Sequence, residues 1–98
     1  MKAVALITET NNSDANQWQF DKVMSAIAYD MELSVVFMPD AINHITKNKA
    51  WNSLVLYGID KIYFYNSREL NDYQAQFHIQ EINSSQLKKL LMKVDIVL

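Results

Sequence analysis

Three short stretches of this 98-residue chain are apolar at nearly every position: Lys2–Thr8 (KAVALIT), Leu33–Met38 (LSVVFM) and Lys61–Tyr65 (KIYFY). A strand with one wet face alternates polar and apolar residues, because successive side chains point to opposite sides. Runs without that alternation belong to strands covered on both faces, as in a parallel sheet. Parallel neighbours cannot be joined by a tight hairpin, so each run must be followed by a crossover of about a dozen residues or more. The three runs therefore constrain the chain to an α/β domain.

The intervening segments read accordingly. Glu9–Asp14 (ETNNSD) is a polar loop whose Ser13 or Asp14 can cap a helix. Phe20, Val23, Met24, Ile27, Ala28 and Met31 then recur at helical spacing. Pro39-Asp40 ends the second run, and Asp40 can cap a segment carrying Ala41, Ile42 and Ile45. After TKNK, the residues Ala50, Trp51, Leu54 and Val55 resume a helical face that stops at Gly58, the sole glycine, where a left-handed cap belongs. Asn66–Gln76 is polar, with a short amphipathic turn at Glu69, Leu70 and Tyr73. Phe77–Ile82 (FHIQEI) mixes polar residues into both faces, which suits a strand at the sheet margin. Asn83–Ser85 caps a last helix through Leu87, Leu90 and Leu91, and Val94–Leu98 closes as a fifth strand. The expectation is one domain over residues 1–98: a three-layer α/β/α arrangement around a five-stranded, mainly parallel sheet.

The helices on offer are two good ones, a broken one and a stub, too few to cover both faces of such a sheet. Two Trp, five Tyr, four Phe and five Met also exceed what one small core consumes. Part of the apolar surface is thus expected to meet a partner. Nine basic and eleven acidic residues give a net charge of −2, and the lysines are scattered, so the basic stripe of a nucleic-acid-binding protein is missing. The absence of cysteine excludes disulfides, thiolate metal sites and any sulfur chemistry on the chain's own thiol. The start, MKAVALIT, is too brief for a signal peptide core or a membrane span, so a cytoplasmic location is expected.

Few residues invite a chemical role. His44 and His78 lie in different elements with no second ligand at metal spacing, and no metal or other cofactor is expected. Glu9 and Asp14 flank a loop where α/β sheets bind ligands, but no base or phosphate-binding glycine accompanies them. Ser67, beside Arg68 and Glu69, has no histidine to activate it and reads as a helix cap. In the third run, Tyr63 and Tyr65 share one face and Phe64 takes the other. Trp51, Tyr65 and His78 are the candidate interface residues, with core packing the competing role for Trp51 and Tyr65.

The segments MELSVVFMPDAI, LYGIDKIYFYNSREL and EINSSQLKKLLMKVDIVL, in that order and at these separations, resemble the TusC/DsrF branch of the DsrE/DsrF/DsrH sulfur-relay proteins. The resemblance spans nearly the whole chain and rests on pattern and order. It implies the DsrE-like fold, with strand order 4-3-2-1-5. It also implies a heterohexamer with TusB/DsrH-like and TusD/DsrE-like subunits, served by TusA-like and TusE-like sulfur carriers. The implied end use is 2-thiolation of a tRNA wobble uridine or dissimilatory sulfur metabolism.

In relatives that carry sulfur, the working cysteine lies just after strand three. That place falls here on Tyr65, Asn66 and Ser67, none of which can hold a persulfide. The expectation is a non-catalytic subunit that supports persulfide transfer on a partner chain. The alternatives are a stand-alone homo-oligomeric DsrE-like protein that binds a small ligand, and an enzyme with chemistry independent of sulfur.

Overall fold

The computed structural model describes residues 1–8, 13–41, 53–59, 61–66 and 79–98, with side chains for all of these but 13–16 and 53. The elements in chain order are β1 (Lys2–Ile7), α1 (Ser13–Ala28), β2 (Glu32–Phe37), 3-10 turns at Pro39–Ala41 and Ser53–Tyr57, β3 (Ile62–Tyr65), β4 (Gln80–Ile82), α2 (Ser84–Lys93) and β5 (Ile96–Val97). All five strands form one parallel sheet in the order β4-β3-β2-β1-β5, the expected class and order.

The handedness of the crossovers decides which face each helix covers. From β1 through β4 the strands step in one direction, so right-handed connections must all pass over the same face. The step from β4 to β5 runs back across the sheet, which sends α2 over the other face. The packing follows this rule. Ala3, Ala5, Ile7, Leu33, Val35, Phe37, Ile62 and Phe64 form a core with Val23 and Ala26 of α1 and with Ala41, Leu54 and Ile59 of the β2–β3 connection. The alternate residues Val4, Val36 and Ile82 pack with Leu87 of α2, flanked by Leu6, Met38, Tyr63, Tyr65, Leu90, Leu91 and Val94. Tyr63 and Tyr65 thus share the face opposite Phe64, as alternation requires.

Among the described residues, the two faces are unequally covered. A ten-residue helix is about 15 Å long and about 10 Å across, whereas five strands at about 4.8 Å spacing are wider than that. On the α2 face, grooves open between α2 and the β2–β4 side of the sheet.

Two returns into the sheet use the same end motif. At the end of α1, the Met31 N–H donates to the Ala26 carbonyl (3.1 Å) and the Asp30 N–H to that of Ile27 (3.0 Å), with Asp30 at φ 58°. Before β3, the Ile59 N–H donates to the Leu54 carbonyl (3.4 Å) and the Gly58 N–H to that of Val55 (3.1 Å), with Gly58 at φ 84°. Both are Schellman closures, in which the left-handed residue lets two carbonyls at the helix end find donors. The apolar pairs Ala26/Met31 and Leu54/Ile59 pack into the core on either side of the turn. Gly58 therefore takes the role its position implied.

Some expectations shift. Ser13 and Asp14 are the first residues of α1, not the residues before it. Ala28 is exposed at the last position of α1, and Met31 reaches the core from beyond the helix instead. Leu54 and Val55 do not share a buried face: in a 3-10 turn successive residues diverge by about 120°, so Leu54 is buried while Val55 is exposed. The fifth strand is confined to Ile96–Val97, both exposed, although the Leu98 N–H still donates to the Val4 carbonyl (2.8 Å). Of the margin strand, Gln80–Ile82 forms the ladder, and Phe77 and His78 lie outside the described residues.

The two closures make opposite predictions. Replacing Asp30 with Gly removes the strain of a side chain at positive φ and should stabilise the fold by about 0.5 kcal/mol. Replacing Gly58 with Ala should cost about 1 kcal/mol, although a Cβ there meets nothing within 4 Å. Urea unfolding of the variants checks both; a Gly58→Ala protein as stable as the parent would remove the conformational account.

Candidate functional site

The carboxyl ends of the parallel strands are where α/β sheets carry their ligands, because the crossover loops leave an open crevice there. In this chain that edge is formed by Thr8 after β1, Met38 after β2, Tyr65 and Asn66 at the end of β3, and Asn83 after β4. Tyr65 stands opposite Ile82 in the ladder, and the Asn66 N–H extends the pairing by donating to the Ile82 carbonyl (3.4 Å). The phenol ring of Tyr65 is half-buried against the α2-side core, which places it at the core rim.

Beside it, Asn83 begins α2 with a reciprocal cap. The Gln86 N–H donates to Asn83 Oδ1 (2.9 Å) and the Asn83 N–H donates to Gln86 Oε1 (2.9 Å). This satisfies two backbone donors at the helix start and fixes its direction off the sheet. The start of α2 is thereby held close to Asn66 at the end of β3, whose N–H bonds the neighbouring Ile82 carbonyl.

At the other end of the same edge, Gln19 ties α1 to β1. It is 9% exposed, and its side chain accepts from the Thr8 N–H (2.9 Å) and from Thr8 Oγ1 (3.4 Å) while its Nε2 donates to the Thr8 carbonyl (2.8 Å). One amide thus continues the ladder pairing of β1 beyond its last residue. Gln19 was not among the candidate residues. Its signal was a polar residue four before Val23, on the buried stripe of α1, where only a paired side chain is tolerated.

The described carboxyl edge therefore offers a phenol, amides, a hydroxyl and the exposed, solvated carboxylate of Asp40. These groups donate and accept hydrogen bonds; none is a thiol or an imidazole. Among the described residues no group of three or more His, Cys, Asp or Glu could hold a metal ion. No helix among them is long and apolar enough to cross a membrane. Of the sequence-derived candidates, Tyr65 and Asn66 stand together at the end of β3, and Asp14 lies in the first turn of α1. Glu9, His44, Trp51, Ser67 and His78 lie outside the described residues.

A second feature went unread in the sequence. Trp18 on α1 and Tyr29 just after it are 62% and 79% exposed, and Lys22 Nζ sits 4.1 Å from the centre of the Trp18 ring, within cation–π range. Together with Ser25 and Leu98 they line a shallow groove between α1 and the β5 edge. Residues 18, 22, 25 and 29 form a helical stripe distinct from the buried one. That stripe was legible once α1 was placed.

Replacing Gln19 with Ala should cost about 1–3 kcal/mol, since it leaves the Thr8 backbone groups unpaired. Gln19→Glu tests the donor separately. A carboxylate buried against the Thr8 carbonyl is favoured in its protonated form, which raises its folded pKa, so stability should be greatest at acid pH and fall as the pH rises through that value. A flat difference from the parent across pH, measured by urea unfolding, would remove this role for Nε2.

No family model and no curated protein matches the sequence. Among solved structures, the YchN protein from E. coli has the same fold, with a TM-score of 0.78 over 99% of this chain and 97% of that chain. The two sequences are 11% identical.

Proposed function

We propose that this chain is a non-catalytic, TusC/DsrF-like subunit of a sulfur-relay complex, and that it shapes the surroundings of a thiol carried by a partner chain. The observation that supports the reading most is the β3 terminus of a cysteine-free chain. In a sheet of order β4-β3-β2-β1-β5, the position from which such proteins present sulfur is occupied by Tyr65 and Asn66. The YchN-like fold is consistent with this assignment.

The division of labour follows from the chemistry. A thiolate on the partner attacks the outer sulfur of a donor persulfide; the new S–S bond forms as the old one breaks, and the donor leaves as thiolate. No net oxidation occurs. The present chain contributes a phenol ring and amides, which pack and hydrogen-bond but take no part in the bond exchange. The exposed Val55, Leu56 and Tyr57 and the Trp18/Tyr29 stripe are surfaces through which it would meet its TusB-like and TusD-like partners.

Size-exclusion chromatography with light scattering, on the chain alone and co-expressed with TusB-like and TusD-like chains of the same genome, tests the proposal. A mixed complex is expected. A chain that only self-associates and ignores the others would favour a homo-oligomeric ligand-binding protein instead. Position is tested separately: Asn66→Cys should yield a thiol that reacts with maleimide and accepts sulfur from a persulfide donor, and an unreactive thiol would count against the equivalence.

A further inference from the structure

The opposite edge of the sheet, at the amino ends of the strands, carries a feature that the reading above does not use. On the α2 face, Lys2, Glu32, Ser34, Lys61, Tyr63 and Lys93 line a cavity of about 140 Å³. A second cavity of about 240 Å³ adjoins it, shares Tyr63, Leu90 and Lys93, and adds Lys89, Gln80 and Gln86.

Two properties distinguish this corner from an ordinary wet surface. The first is charge. In a chain of net charge −2, three lysines, Lys2, Lys61 and Lys93, line this one cavity together with a single acidic residue, Glu32. Asp95 lies close by, where its Oδ2 accepts from the Lys2 backbone N–H (2.9 Å). Among the described residues, none of these ammonium groups is held in an ion pair. Lys93 complements the negative end of the α2 dipole, and that alone would account for it. It does not account for Lys2 and Lys61, which come from the starts of two different strands.

The second property is Ser34. Its side chain lies on the α2 face of the central strand, is only 6% exposed and lines the cavity, yet among the described residues its hydroxyl has no hydrogen-bond partner. Buried hydroxyls are nearly always paired. A buried hydroxyl that lines the same cavity as three lysines is a donor available to an acceptor from outside.

We propose that the Lys2/Lys61/Lys93 cavity, with Ser34 at its floor and Tyr63 on its wall, binds a compact oxyanion of the size and charge of phosphate. The lysines supply the charge, as point donors that need no fixed fork geometry. Ser34 and Tyr63 supply hydroxyl donors, and the adjoining cavity has room for a small organic group attached to the anion. The site is independent of the proposed sulfur-relay role and lies at the other end of the strands from the β3 loop.

The test is the thermal unfolding midpoint of the whole chain in increasing inorganic phosphate against sodium chloride of equal ionic strength. A saturable rise specific to phosphate is expected, since a ligand of the folded state alone stabilises it by mass action. Lys61→Gln/Lys93→Gln, both exposed positions, should abolish the rise without impairing folding. Ser34→Ala should weaken phosphate binding by about tenfold, the loss of one hydrogen bond to a charged group, while leaving the phosphate-free protein as stable or more so. A midpoint that moves equally in chloride, a rise that survives the lysine substitutions, or binding of a glutamate-rich peptide but not of phosphate would each overturn the proposal.

Discussion

Right-handed crossover is the constraint from which the rest of this architecture follows. The β1–β2 and β2–β3 connections step the same way, and their described residues cover one face, whereas the helix of the last, reversed connection covers the other. The first face consequently acquires α1, the turn around Leu54 and Ile59, and the larger core built on Phe37 and Phe64. Among the described residues, the second receives one ten-residue helix and a smaller core around Val4, Val36, Ile82 and Leu87. The imbalance follows from strand order. It explains why large residues such as Tyr63 and Tyr65 are half-buried although they sit on interior strands.

The two ends of the sheet differ because a parallel sheet gives them different backbone chemistry. At the carboxyl ends, the chain leaves each strand and helices begin, so free N–H groups must be satisfied; Asn83 and Gln86 do this at α2. At the amino ends, helices finish and chains return, so carbonyls must be satisfied, and left-handed Asp30 and Gly58 do this. Amides and hydroxyls gather at the first end, while the lysines of the strand starts and of the end of α2 gather at the second. The phenol and amide at the β3 terminus and the lysine-ringed cavity are products of this polarity.

Much of the fold was legible in the sequence because its signals are local. Continuous apolar runs identified β1, β2 and β3, the 20-23-24-27 stripe identified α1, and Asn83 announced α2. Gly58 marked a left-handed position that few other residues adopt at low cost. Where the sequence misled, a competing geometry won. A 3-10 pitch separated Leu54 from Val55, and α1 ends with Ala28 exposed, so that Met31 reaches the core as expected but through a closing turn at Asp30 that no glycine signals.

The chemical exclusions needed no coordinates: without cysteine there is no persulfide to carry, and with scattered lysines and a net charge of −2 there is no linear phosphate-binding stripe. Spatial association was another matter. Gln19 looks like any surface glutamine until the end of β1 is laid against α1, and Lys2, Lys61 and Lys93, far apart in the chain, line one cavity only because β1, β3 and α2 meet at that corner. Residue type and spacing determine what a side chain can do and which local element it favours. The order of the strands determines which distant groups do it together, and that order comes from crossover handedness and shared burial, which no single segment encodes.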